Sequence, residues 1–373
     1  MSINDVFCGT QFEGVTFFAK NNIQHLNMVG EDTFWSSMEQ NNSLSKMRGN
    51  ETWNAHLLKP ELPRHQMIVH MSIEILLILL TCCGNIVVLI SIWLRRSLQT
   101  VNNMFLASLS LADLIMGTFA SPLSVYILYM VPIVYGSHIQ DKWLCTCRYF
   151  AICMSVAPSL FSLSGIAIDR YIAVVYPIKY RETVTRTWAV IYLIFSWIYC
   201  TIGSAMLFYK NMISFDDPGD FCRTRMVMHP DFSIIVKAHL GVLFLICSIS
   251  HITIAFIAYK RKNAVATELN VTNSDIMVQT YKRQKRITRT MTLICGVFVL
   301  CWLPWVIMSL ISLDDYPMWW KSLFYFTVEL SFAGSAVNPW IYAYRHRTLR
   351  KAMLNVLKCK YKRLTASEVI ASS

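Results

Sequence analysis

Apolar residues crowd this chain into seven long runs separated by shorter polar stretches: 67–94, 103–130, 144–176, 187–209, 232–259, 287–313 and 319–344. Each exceeds the roughly 20 residues a helix needs to cross the hydrocarbon of a bilayer. A soluble helix would instead show a narrow apolar stripe and a polar face. The pattern predicts an all-α membrane protein, a seven-transmembrane-helix bundle over 67–344. A polar tail over 1–66 precedes it, and a segment over 345–373 follows. An odd number of crossings puts the two termini on opposite sides.

Charge assigns the sides. Arg95 and Arg96 follow the first run, Arg170, Lys179, Arg181 and Arg186 separate the third from the fourth, and Lys260, Arg261, Lys262, Lys282, Arg283, Lys285, Arg286 and Arg289 separate the fifth from the sixth. Basic residues again crowd the stretch after the seventh, from Arg345 to Arg363. All of these fall on one side, which the positive-inside rule makes cytoplasmic. Asp216, Asp217, Asp220, Asp314 and Asp315 fall on the other. The net charge of +12 is therefore topology and attraction to anionic inner-leaflet lipid, and it does not argue for nucleic acid. An outer N-terminal tail makes Asn41 and Asn50, each in an Asn-x-Ser/Thr sequon, candidates for glycosylation. The start has no basic stretch followed by an apolar core, so the first run is expected to act as its own signal. Over 345–358, Leu349, Met353, Leu354 and Leu357 share one side of a short amphipathic helix suited to the inner leaflet.

Polar groups within the runs carry the candidate chemistry, because each costs free energy unless it faces the bundle interior. Asn85, Asp113, Ser159 and Asn338 lie well inside their runs. They are expected to line a hydrated pocket in which Asp113 is neutralised by a small cation such as Na+; a purely structural hydrogen-bond network is the alternative. No other cofactor or metal is implied. His70 and Glu74 share a helix face at i, i+4, Glu329 lies in the seventh run, and Lys237 and His239 lie in the fifth. Pro122, Pro158, Pro304 and Pro339 interrupt helices, and Trp302 stands beside one such kink. The twelve cysteines show no CxxC pairing. Cys145 and Cys222 are the outer-side candidates for a disulfide, with Cys147, Cys8 or free thiols as rivals. The third run ends in Asp169-Arg170-Tyr171, an acid and a base beside one another after a nearly uncharged approach.

Taken in order, Asn85 in GN, Asp113 in SLSLADL, Cys145, the DRY of Asp169 to Tyr171, Trp197, the CWLP of Cys301 to Pro304 and the NPWIY of Asn338 to Tyr342 resemble the rhodopsin-like (class A) G protein-coupled receptors. That resemblance implies a plasma-membrane receptor, no enzyme, which passes an extracellular signal to a heterotrimeric G protein. It implies that Asp169 restrains Arg170 at rest, that Arg170 swings toward the G protein when span six moves outward, and that Tyr171, Ile178 and Tyr342 serve coupling. It makes Cys359 a site of palmitoylation. Two departures stand out: Gln284 occupies the place of an acid at the inner start of span six, and His251 that of an inner tyrosine in span five. Weaker restraint of the resting state, with raised basal activity, is the expected consequence.

Within that class the signalling half resembles adenosine receptors: SLFSLSGIAIDRYIAV, VFVLCWLPW and LSFAGSAVNPWIYAYRHRTLRKA carry the likeness. The pocket half departs from them. Arg223 and Thr224 follow the loop cysteine where an aromatic-acid pair is expected, Ser309 replaces an asparagine, and Phe332 replaces a histidine. Ile152 likewise lacks the aspartate of amine receptors. The expected ligand-binding set is Glu74, Ile152, Val156, His239, Trp302, Trp305, Ser309, Val328, Ser331 and Phe332, an apolar floor under charged upper walls. Such a cavity suits an adenosine-like small molecule by resemblance, or a peptide end or other amphipathic ligand by its lining. A transporter would instead show inverted repeats with broken helices, and none is found.

Overall fold

Eight helices follow one another in the computed structural model, which describes residues 62–136, 138, 140–176, 180, 184–209, 212–214, 222, 228–272, 275–311 and 317–358. They are α1 (Arg64–Leu94), α2 (Val101–Tyr135), α3 (Lys142–Val175), α4 (Arg186–Ala205), α5 (Pro230–Thr272), α6 (Asp275–Leu310), α7 (Met318–Arg345) and α8 (Arg347–Leu357). The described residues belong to a single contact unit, His56–Ser373. Asn41, Asn50, Ile178 and Cys359 lie outside the described residues, as does the side chain of Gln284.

Short polar side chains start several helices by accepting from the first free backbone N–H groups. Thr100 Oγ1 accepts from Asn103 N at 3.4 Å, Asp141 Oδ1 from Leu144 N at 2.8 Å, and Thr185 Oγ1 from Trp188 N at 3.2 Å. His346 Nδ1 does the same for α8, accepting from Leu349 N at 3.1 Å and so turning the chain out of α7. Within α2, Pro122 and Pro132 each follow a π-helical turn, Met116–Ala120 and Tyr126–Met130. A wider turn absorbs the donor that proline lacks. Helices α5 and α6 run on past their apolar stretches, leaving only 273–274 between them outside the described helices.

Burial is inverted relative to a water-soluble bundle. Ile191, Phe195, Ile202, Ile234, Ile235 and Leu300 are exposed, while Asn85, Asp113, Ser162, Asp169 and Glu329 are buried. An apolar exterior around a polar interior is what a hydrocarbon solvent selects. Six described helices, α1 to α6, contain segments long and apolar enough to cross a membrane. Helix α7 is less apolar because it carries Thr327, Glu329, Ser331, Ser335 and Asn338, all of them buried.

Close helix contacts rest on small residues. A Cβ placed on Gly165 of α3 would lie 2.3 Å from the ring of the fully buried Phe105 on α2, and one on Gly84 of α1 would lie 2.8 Å from Pro339 of α7. Hydrogen bonds join the same neighbours: Ser162 Oγ donates to Ser108 Oγ at 2.8 Å, and Trp197 Nε1 of α4 donates to it at 3.0 Å. Small residues and interhelical hydrogen bonds are how helices associate where lipid removes the hydrophobic drive.

Candidate functional site

A cavity of about 480 Å³ opens among α3, α5, α6 and α7. Ile152 and Val156 form its α3 wall; Trp302, Trp305 and Ser309 come from α6; Val328, Ser331 and Phe332 come from α7. Trp302 and Trp305 meet edge to face with centroids 5.9 Å apart, and Phe298 stacks on Trp302 at 6.0 Å. Phe298, Trp302 and Trp305 fall on successive turns of α6, which carries Pro304 within it.

Two residues expected in this lining lie elsewhere. His239 points toward α4, where its Nε2 is 3.4 Å from the hydroxyl of Tyr199, because its position on α5 faces that neighbour and not the bundle axis. Glu74 is fully buried in α1, outside the cavity lining, and neither of its carboxylate oxygens has a hydrogen-bond partner among the described residues. Glu329 pairs with His70, Nδ1 to Oε1 at 2.7 Å. Around this pair, Tyr129 stacks on His70 at 6.3 Å, and Tyr325, which also lines the cavity, lies 5.9 Å away.

One lining residue went unread. Arg148 is buried in the second turn of α3, its Nε donating to Ser124 Oγ at 2.9 Å and an Nη to the carbonyl of Cys222 at 3.4 Å. Its guanidinium lies 5.2 Å from the Tyr149 ring centroid. With Lys237 it places cationic groups on an otherwise largely apolar wall. The signal was present in the chain, since Arg148 is the one charged residue between Cys145 and Ile168. A disulfide joins Cys145 to Cys222 and holds the Cys222 carbonyl near this arginine, whereas Cys147 is a free, exposed thiol.

Beneath the cavity lies the polar core. Asn338 Nδ2 donates to Asp113 Oδ2 at 2.8 Å, and Asn85 Nδ2 donates to the carbonyls of Thr81 at 3.0 Å and Ser335 at 3.1 Å. The Asn85 Oδ1 is buried with no hydrogen-bond partner among the described residues. Ser159 donates to Ser155 O of its own helix at 2.8 Å, which leaves its oxygen able to accept.

At the other end of α3, Arg170 and Asp169 form a buried ion pair, with Nε to Oδ2 at 2.9 Å. Tyr180 closes it: its hydroxyl donates to Asp169 Oδ1 at 2.8 Å and accepts from Arg170 Nη2 at 3.2 Å. Burial first, and then the Asp169 charge, push the Tyr180 phenol up to about 12, so it remains a proton donor. Tyr180 was not among the residues expected here. Tyr171 is exposed, with its ring against Tyr176 at 6.5 Å, and Tyr342 is fully buried in α7.

A helical bundle inverted for lipid, with a cavity at one end and a closed acid-base pair at the other, is the architecture of a membrane protein whose two ends meet different partners. The family model described as 7 transmembrane receptor (rhodopsin family) matches residues 84–342, and the chain belongs to that family. Its members are G protein-coupled receptors and not enzymes. Adenosine receptor A3 of Ovis aries is 30% identical over 301 residues, covering 78% of this chain and 90% of that one. Adenosine receptor A2a of Canis lupus familiaris is 27% identical over 309 residues, covering 78% and 72%. A QRFP-like peptide receptor of Branchiostoma floridae is 24% identical over 323 residues, covering 83% of each.

Proposed function

We propose that this protein is a cell-surface receptor whose seven helices cross the plasma membrane with the N-terminus outside. It binds an extracellular ligand in the outer cavity and promotes nucleotide exchange on a heterotrimeric G protein. The observation that carries this reading is the pairing of an open, ring-floored cavity with a buried Asp169–Arg170–Tyr180 cluster at the opposite end of the same helix. A ligand that favours one arrangement of α6 shifts the equilibrium that exposes Arg170, and the G protein shifts it from below. Tyr171, Ile178 and Tyr342 complete the coupling surface, and palmitate on Cys359 would anchor the end of α8. Sugars on Asn41 and Asn50 would decorate the outer tail. The buried Asp113 carboxylate, the orphan Asn85 Oδ1 and the Ser159 oxygen fit a sodium ion, which would supply the missing positive charge.

The lining favours a ligand with an apolar body and an anionic or strongly polar end facing Arg148 and Lys237. An adenosine ligand is supported by the relatives, but among the described residues this wall offers no carboxamide or carboxylate to pair with a purine edge. The test is cAMP and calcium signalling in cells with verified surface display, screened with adenosine, anionic amphiphiles and peptides. A saturable response lost in Arg170→Ala and weakened in Arg148→Gln is expected. A response that survives Arg170→Ala undiminished would remove the coupling role, and an adenosine response insensitive to Arg148→Gln would restore the purine reading.

A further inference from the structure

One turn below the aromatic floor, α5 and α6 bring together a cluster that the receptor reading leaves unused. Cys247 and His251 lie four residues apart on α5, and Cys295 faces them from α6. All three are buried, and a His251 ring nitrogen and both sulfurs lie within 4.8 Å of one another. Cys247 follows Phe244 and Cys295 precedes Phe298 by three residues; those two rings line the cavity and meet at 6.5 Å. We propose that Cys247, His251 and Cys295 form a zinc site that ties α5 to α6 beneath the ligand cavity.

Three observations support a metal over a simple thiol contact. The two sulfurs are 3.6 Å apart. Two thiolates on a tetrahedral zinc, at about 2.3 Å each, stand about 3.8 Å from one another, so little movement is needed. The His251 Nε2 lies 3.2 Å from the carbonyl of Leu163 on α3. A carbonyl only accepts, so Nε2 holds the ring proton and Nδ1 holds the lone pair, the carbonyl–histidine arrangement that orients metal-binding imidazoles. Finally, a divalent ion with two thiolates and a neutral imidazole is uncharged overall. That matters in a low-dielectric interior, where an unbalanced charge is costly. Sulfur and imidazole donors select zinc over magnesium or calcium, and the fourth position is left for water.

The influence of such a clamp on signalling rests on the receptor reading, since it would hold α6 against α5. Metal binding itself does not, so the test uses the purified full-length receptor in detergent, without G protein. Zinc chloride is expected to raise the thermal unfolding midpoint, and a chelator to reverse this. Cobalt chloride should give the intense ultraviolet band of a cobalt–thiolate bond together with tetrahedral visible bands. Cys247→Ser/Cys295→Ser and His251→Phe should each weaken zinc binding by about tenfold or more. The spectrum of the unaltered protein keeps the test sound should a variant fold poorly. Equal zinc responses in the parent and the double cysteine variant would overturn the proposal, as would cobalt spectra without thiolate bands. Recovery of Cys247 and Cys295 as a mutual disulfide from protein prepared without oxidant would also overturn it, making the pair a redox couple instead.

Discussion

The two ends of α3 hold charge in opposite ways. At the cytoplasmic end the ion pair joins adjacent residues, Asp169 and Arg170, and a tyrosine ten positions past the arginine closes it. At the opposite end of the bundle charge is held across helices: His70 of α1 reaches Glu329 of α7 across 259 positions, and Arg148 reaches the Cys222 carbonyl across 74. A pair built within one turn forms whenever the helix forms. A pair built across helices exists only when the bundle is assembled, and losing one partner strands the other. The inner cluster is thus suited to open and reclose, whereas the outer pairs hold the walls of the cavity in register.

The sharpest way to break that contrast is His70→Leu. It leaves the Glu329 carboxyl buried without its hydrogen-bond partner, a loss of about 1 to 3 kcal/mol. Thermal unfolding in detergent should show a large drop, mostly recovered in His70→Leu/Glu329→Leu. A small drop with no recovery would mean that the outer pair is as dispensable as a surface contact. Next is Gly165→Val, which forces branched carbons into the ring of Phe105 between the two ends. Overpacking of this kind costs about 1 to 3 kcal/mol, and reduced surface display is expected, with partial rescue by Phe105→Leu.

Removing the inner hydroxyl should do less to stability and more to signalling. In Tyr180→Phe, Asp169 and Arg170 each lose a hydrogen bond to the same hydroxyl, together worth about 1 to 2 kcal/mol, so ligand-free signalling should rise by about five- to thirtyfold while display is unchanged. Unchanged basal output would mean that Asp169 alone restrains Arg170. The smallest effect concerns His138 on the outer side, whose pKa burial lowers to about 4. Because the folded value lies below the unfolded one near 6.5, the unfolded chain takes up the proton first, and stability falls as pH drops from about 6.5 toward 4. Moving from pH 7.5 to 5.5 should cost about 1 kcal/mol, and His138→Gln should flatten that dependence.

Legibility followed the same division. The all-helical architecture and the Asp169–Arg170 motif could be read directly because they depend on run lengths and on neighbours in the chain. The cavity floor of Trp302 and Trp305 was also legible, since a proline kink and its flanking rings lie within one stretch. His239 was misplaced and Arg148 missed for a common reason: the face a helical side chain presents depends on how the helix is rotated against its neighbours. Tyr180 was missed because a contact between its hydroxyl and Asp169, eleven positions away, belongs to no helical repeat.

By itself the sequence determined that this protein is an inside-out helical bundle. Hydrocarbon tolerates no unpaired backbone and few charges, and both requirements can be counted along a chain. Only the tertiary structure decided which buried groups meet: Glu329 with His70, Cys145 with Cys222, and Cys247 with Cys295 and His251. Those encounters depend on helix rotation and close approach, set by the summed packing of small residues and kinks on several helices at once.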